Sequence, residues 1–204
     1  MKRTRSSITG TSMAVLLVAA SIAGAEEPVC PVEPRPTCRV STRPQRDLFR
    51  LVSREGAPVE RMLWKWSHGE ATDSAEFGNM EDSGNTIALC MYMGTTPQLI
   101  GGLIIPGGCD ESAGYCWRRN DRQTQKLLAA GDGISISMSL KPGETGRSEI
   151  RASVTCEGTC AKEIPAADAM IVQAARVGTT SCWESSFYMR HVEKNGTVRH
   201  ENAR

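Results

Sequence analysis

The sequence predicts an all-β protein: a single antiparallel β-sandwich with disulfides, following a signal peptide and a proline-rich segment. Three observations predict it. Five separate stretches alternate apolar and polar residues with period two, the signature of strands buried on one face. Turn residues break the chain between these short runs, as in sandwiches and barrels. Eight cysteines stand in one chain of 204 residues, an even number that reads as a disulfide framework in an oxidising compartment.

Residues 1–25 read as a secretory signal. Lys2, Arg3 and Arg5 form a positive start, residues 13–20 an apolar middle, and Ala23-Gly24-Ala25 a small-x-small cleavage site. Ser6, Ser7, Thr9, Thr11 and Ser12 interrupt any run long enough for a membrane anchor. Removal of this segment leaves 21 Lys and Arg against 23 Asp and Glu, a formal charge of −2. No transmembrane anchor is expected after cleavage, and the location expected is secreted or periplasmic. Residues 26–46 hold Pro28, Pro31, Pro34, Pro36 and Pro44. Proline removes amide donors and favours extended backbone, so this segment reads as a tether rather than a strand.

The sandwich domain is expected over residues 47–204, with about eight to ten strands. Residues 47–53 read as a strand because the turn cluster Glu55-Gly56-Ala57-Pro58 follows. Met62, Trp64 and Trp66 then share one face, alternating with Leu63, Lys65 and Ser67. Ile87, Leu89, Met91 and Met93 face one way, and Ala88, Cys90 and Tyr92 the other, so this strand is expected to be buried on both sides. Residues 121–130 are the best prospect for a short helix. Ile134, Ile136, Met138 and Leu140 alternate with serines, the turn residues Pro142-Gly143 follow, and Ile150, Ala152 and Val154 complete a hairpin. Trp183, Ser185, Phe187 and Met189 alternate with Glu184, Ser186, Tyr188 and Arg190. Asn195-Gly196 is a two-residue hairpin signal that returns the chain through residues 197–200.

All eight cysteines lie beyond residue 25. Loop proximity and the matching Cys-Trp steps at Cys116-Trp117 and Cys182-Trp183 predict the pairs Cys30–Cys38, Cys90–Cys109, Cys116–Cys182 and Cys156–Cys160. Zinc is the rival reading of Cys156-x-x-x-Cys160, but no second Cys or His pair stands at a matching interval. The near balance of charge argues against a nucleic-acid binder.

Catalytic signatures are weak. Ser67, His68 and Glu70 are close in sequence, but neighbouring strand residues point to opposite faces, and no Gly-x-Ser-x-Gly elbow is present. Glu81-Asp82 and Asp110-Glu111 are candidate carboxylate pairs for glycosidase work or calcium, beside Ser and Gly residues that mark surface loops. Gly101-Gly102 and Gly107-Gly108 lack dinucleotide spacing. The one binding signal is the set of four tryptophans. Trp64, Trp66, Trp117 and Trp183 suit either a core or flat faces presented to sugar rings. The expected function is therefore a non-catalytic exported domain with a structural or interaction role, needing no cofactor. Its partner is an extracellular or periplasmic protein or a glycan. The alternative is a carbohydrate-binding module or small extracellular hydrolase.

Overall fold

Strands form where the alternating residues predict them, and the inward apolar face of each run is what makes pairing favourable. The protein is described from a computed structural model, over residues 29–54, 59–131, 133–156, 169–194 and 197–202. The signal segment 1–25, Cys160 and the turns at Glu55-Gly56-Ala57-Pro58 and Asn195-Gly196 lie outside the described residues. The strands are β1 (Arg39–Val40), β2 (Leu48–Arg54), β3 (Val59–Gly69), β4 (Thr86–Met93), β5 (Gln98–Pro106), β6 (Cys109–Asp110), β7 (Tyr115–Arg119), β8 (Gln125–Gly131), β9 (Ile134–Lys141), β10 (Ser148–Cys156), β11 (Ala169–Arg176), β12 (Cys182–Lys194) and β13 (Thr197–Asn202). Besides a 3-10 turn at Pro44–Arg46, the described residues hold one short α-helix, α1 (Ser74–Phe77), which begins at a capping box formed by Asp73 and Glu76.

These strands make two mostly antiparallel sheets, a β-sandwich. The first has the order β5-β4-β11-β12, with β1 added parallel to β12. The second runs β13-β2-β3-β10-β9-β8-β7-β6. Strand β12 belongs to both. Its residues 182–188 pair with β11 and residues 189–194 with β13, so one long strand turns a corner between the sheets. On the far side, β5 leads through Gly107-Gly108 into β6, which sits at the end of the second sheet.

Register builds the core. Phe49, Trp64, Ala152, Met138, Leu127 and Trp117 stand opposite one another across six neighbouring strands, and all are buried. Ile87, Leu89, Met170, Val172, Ala174, Trp183 and Phe187 of the first sheet are buried in the same apolar cluster. The predicted hairpin is present as β9–β10, with Leu140 opposite Ile150 and Met138 opposite Ala152.

Residues 121–130 do not form a helix. Residues 125–131 are β8, paired with β7 and β9. The apolar helix formers of this stretch lose to two ladders of backbone hydrogen bonds and to burial of Leu127. The strands number thirteen among the described residues, more than the eight to ten expected, partly because β1 and β6 are only two residues each.

The proline-rich segment is a strap rather than a tether, and its end forms β1. Residues 29–38 cross the outer face of the first sheet and are fastened to each strand in turn. The Val32 carbonyl accepts from the Leu99 amide on β5 (3.3 Å). Cys30 bonds Cys90 on β4. The buried Gln173 side chain on β11 receives the Arg35 amide (3.0 Å) and donates to the Arg35 carbonyl (2.9 Å). Cys38 bonds Cys182 on β12. Prolines suit a crossing strap, since they present no amide donors to be left unpaired above a sheet. The strap explains why β4 is buried on both faces: Ala88, Cys90 and Tyr92 pack beneath Val29 and Cys30.

The disulfides therefore correct three predicted pairs. Cys30–Cys38 is replaced by two bonds from strap to sheet. Cys90–Cys109 and Cys116–Cys182 are replaced because Cys109 and Cys116 stand directly opposite in the β6–β7 hairpin and bond there. Sequence neighbours on a strap that runs across strands meet different strands, so loop proximity misleads. Cys156 is also disulfide-bonded. The predicted pairing with Cys160 falls outside the described residues.

Candidate functional site

The four tryptophans are placed in the core. Trp64, Trp66 and Trp183 have no exposed surface and Trp117 has 2%. Trp117 donates its indole N–H to the Pro106 carbonyl (2.8 Å), and Trp183 to the Thr72 hydroxyl (3.2 Å). None offers a flat face to a sugar ring, which corrects their reading as binding residues.

The catalytic candidates are bound up in structure. His68 is the extra residue of a β-bulge opposite Ser148 and Glu149, with φ of 54°. That bulge brings its Nδ1 to 3.4 Å from the Ser67 hydroxyl, a contact that strict strand alternation does not provide. The Ser67 hydroxyl donates to the Arg46 carbonyl (3.1 Å). Glu81 accepts the Arg119 amide (3.0 Å), and Asp82 the Gly84 amide (3.0 Å). Asp110 accepts from the Ser112 amide and hydroxyl and from the Ala113 amide, and the Ser112 hydroxyl leads in holding its carboxyl below the usual range. These acids close turns.

A buried acid that the sequence reading missed joins the two sheets. Asp47 is 3% exposed. It accepts the Ser67 amide of β3 (2.9 Å) and the Ser185 hydroxyl of β12 (2.7 Å). Burial pushes its pKa up to about 6, against the opposing pull of Ser185, the Ser67 amide and the Ser41 and Ser67 hydroxyls. The folded state thus favours the neutral acid. The associated stability is fully present below the unfolded value near 3.8 and is lost as pH rises through about 6. Denaturant melts are expected to show stability declining by about 1–3 kcal/mol across this window, and Asp47→Asn is expected to flatten the decline. An unchanged slope in that variant counts against the assignment.

The outer face of the second sheet gathers cationic side chains. In a strand, alternate residues point outward, so each outward position joins its register partners in a row across the sheet. One such row reads Arg118 on β7, Lys126 on β8, Ser139 on β9, Arg151 on β10 and Lys65 on β3. Four of its five members are cations. At the usual strand spacing the row is about 19 Å long. Arg118 directly opposes Lys126, and Arg151 directly opposes Lys65. Like charges so placed are destabilising unless something neutralises them. Lys65 has Glu149 at 3.1 Å. Arg118, Lys126 and Arg151 form no ion pair among the described residues. Arg61 and Lys141 are exposed on the same face, and Glu149 is the one carboxylate at the outward positions of β3 and β7–β10 among the described residues.

Beside the cations the face carries hydroxyls together with an exposed leucine, Leu128 on β8. Ser135, Ser137 and Ser139 line β9, and Ser153 and Thr155 line β10 beside them. At the Arg118 end the face dips into an open cavity of about 490 Å³, lined by Cys116, Arg118, Arg119, Asn120, Thr124, Lys126 and Leu128. Its floor is rigid. Cys116 is bonded to Cys109, the Asn120 carboxamide accepts the Arg122 and Thr124 amides (3.1 and 3.0 Å), and Arg119 is held by Asn79 and Gln123. Arg118 and Lys126 line the cavity without an ion-pair partner among the described residues. Each of these residues reads in sequence as an ordinary solvent-facing polar position, and only register gathers them.

Three disulfides among the described residues point to an oxidising, extracytoplasmic setting. No described helix is long and apolar enough to cross a membrane. No family model, no curated protein and no solved structure matches this chain.

Proposed function

We propose that this is a non-catalytic exported domain that binds an acidic polysaccharide across the outer face of its second sheet. The observation that carries the reading is the row Arg118–Lys126–Ser139–Arg151–Lys65, in which like charges face each other and three cations have no carboxylate partner among the described residues. A chain of regularly spaced carboxylates or sulfates supplies the missing counter-charge at several strands at once. Releasing the counterions held by such a polyanion favours binding, as it does for nucleic acids. The serine and threonine hydroxyls between the cations match sugar hydroxyls as donors and acceptors. A polysaccharide is favoured over a nucleic acid because the tryptophans point inward, away from this face, and offer no stacking platform for bases.

The test is binding of the purified protein to polygalacturonate, with neutral dextran and single-stranded DNA in parallel. Expected are binding to polygalacturonate, none to dextran, and affinity that falls steeply with salt. Replacing Lys126 and Arg151 by Gln together is expected to weaken binding at least tenfold. It is also expected to reduce the slope of log affinity against log salt by about two. Equal binding to dextran, tighter binding to DNA, or indifference to the double substitution would overturn the reading.

A further inference from the structure

We propose that β5 is an interface to a second copy of this chain, joined edge to edge about a two-fold axis. Strand β5 ends the first sheet, with β4 as its one ladder partner. Its nine residues, Gln98–Pro106, contain no charge. Native edges are ordinarily blunted by charge, shortness or cover, because a free row of N–H and C=O groups recruits another strand. This protein blunts its other end in that way. β6 is two residues long, carries Asp110, is followed by Glu111, and is bonded to β7 through Cys109–Cys116. At β5 the protection stops at the two ends of the strand. The Leu99 amide is taken by the strap at Val32, next to a register shift, and Pro106 has no amide to donate. Residues 101–105 remain as an unblunted edge.

The occupant that suits this edge is the edge itself. Two uncharged strands meet without the electrostatic repulsion that protects ordinary edges. β-branched Ile104 and Ile105 suit a ladder, and Ile104 is 56% exposed. An antiparallel ladder over residues 101–105, centred on Leu103, sets Gly102 opposite the partner's Ile104 in both halves. Gly102 is the position with no side chain, over which the Cys30 sulfur already lies, 2.6 Å from where a Cβ would sit. The partner's isoleucine therefore meets bare backbone and a disulfide instead of a competing side chain. An apolar groove of about 240 Å³ beside the strand, lined by Ile104, Ile105, Pro106, Tyr115, Ala129 and Ile136, supplies further surface to cover. A two-fold contact uses both identical edges at once and closes, whereas a head-to-tail contact would leave an edge free to propagate.

Sedimentation of the purified protein over a concentration series tests this. The mass is expected to rise from that of the monomer to twice that value. Ile104→Lys is expected to remove the dimer while leaving the thermal melt unchanged at concentrations where the unaltered protein is a monomer, because the side chain is largely exposed in the single chain. Tyr188→Lys, at a 75% exposed position on β12, is expected to leave the dimer intact. Hydrogen exchange of the unaltered protein gives a readout without mutation: amides within residues 101–105 are expected to slow as the dimer fills. A monomer at every concentration, a dimer that survives Ile104→Lys, or exchange at 101–105 indifferent to concentration would overturn the proposal.

Discussion

Replacing Cys38 and Cys182 together by alanine is expected to lower the unfolding free energy by about 4–5 kcal/mol. The bond joins residues 144 apart in sequence. With Cys30–Cys90 intact, the shortest covalent circuit it closes still runs to about 100 residues, from Cys38 back to Cys30, across that bond, and on from Cys90 to Cys182. In the chain-entropy account, the restriction placed on the unfolded chain grows with the logarithm of that circuit. The bond between Cys109 and Cys116 spans 7 residues, and its removal is expected to cost only about 2 kcal/mol. A loss of 4–5 kcal/mol is comparable to the whole stability of many domains, about 5–15 kcal/mol. Denaturant melts of the two double variants decide between them. Equal losses, or a larger loss without Cys109–Cys116, would show that the strap is held by its packing and hydrogen bonds rather than by this bond.

Gly69→Ala is expected to destabilise by about 3 kcal/mol, far beyond the usual effect of adding one methyl group. A Cβ at this position would lie 1.8 Å from Cη2 of Trp66 and within 2.3 Å of two further ring carbons. The indole of Trp66 rests against the glycine backbone. It cannot yield locally, because the ring is rigid and wholly buried. Nor can Gly69 retreat easily: it pairs with Ser148 and bridges Ser41, and its carbonyl accepts the Gly146 amide at 2.7 Å. A double-mutant cycle separates this contact from a general strand effect. Trp66→Ala alone is expected to cost about 3–5 kcal/mol. Adding Gly69→Ala to it is expected to cost little more, since the ring is gone. Full additivity of the two losses would refute the contact as the cause.

Most of the strands that sequence reading recovered alternate apolar and polar residues nearly throughout, with Leu63 and Ser185 as the departures. The runs at Met62 to Trp66, Ile134 to Leu140, Ile150 to Val154 and Trp183 to Phe187 are of this kind, and their inward residues are buried except at the start of β9, where Ile134 is 44% exposed and Ile136 half-buried. β8 escaped for an identifiable reason. Its inward row begins with Gln125, fully buried, whose side chain accepts the Met80 amide (2.6 Å) and donates to the Gly78 carbonyl (2.8 Å). A buried amide satisfied by a distant loop breaks the apolar alternation, and the helix-forming residues around it then dominate a local reading. The Asp47 cluster escaped similarly, since an acid at the start of a strand reads as exposed until Ser67 and Ser185 are brought to it.

The sequence by itself determined the all-β class and the inward face of each regular strand, whereas the burial of all four tryptophans was decided by the tertiary structure. Alternation is written in consecutive residues, because the pleat turns neighbouring side chains to opposite sides whatever the strand's partners. The tertiary structure alone decided which cysteines bond, that a proline-rich segment becomes a strap across four strands, and that Lys65, Arg118, Lys126 and Arg151 form one row. Each of these depends on strand order and register, which bring together residues up to 144 positions apart. Register is set by the packing of whole faces against one another. A cysteine or lysine at an outward position carries no local mark of the neighbour that register will place beside it.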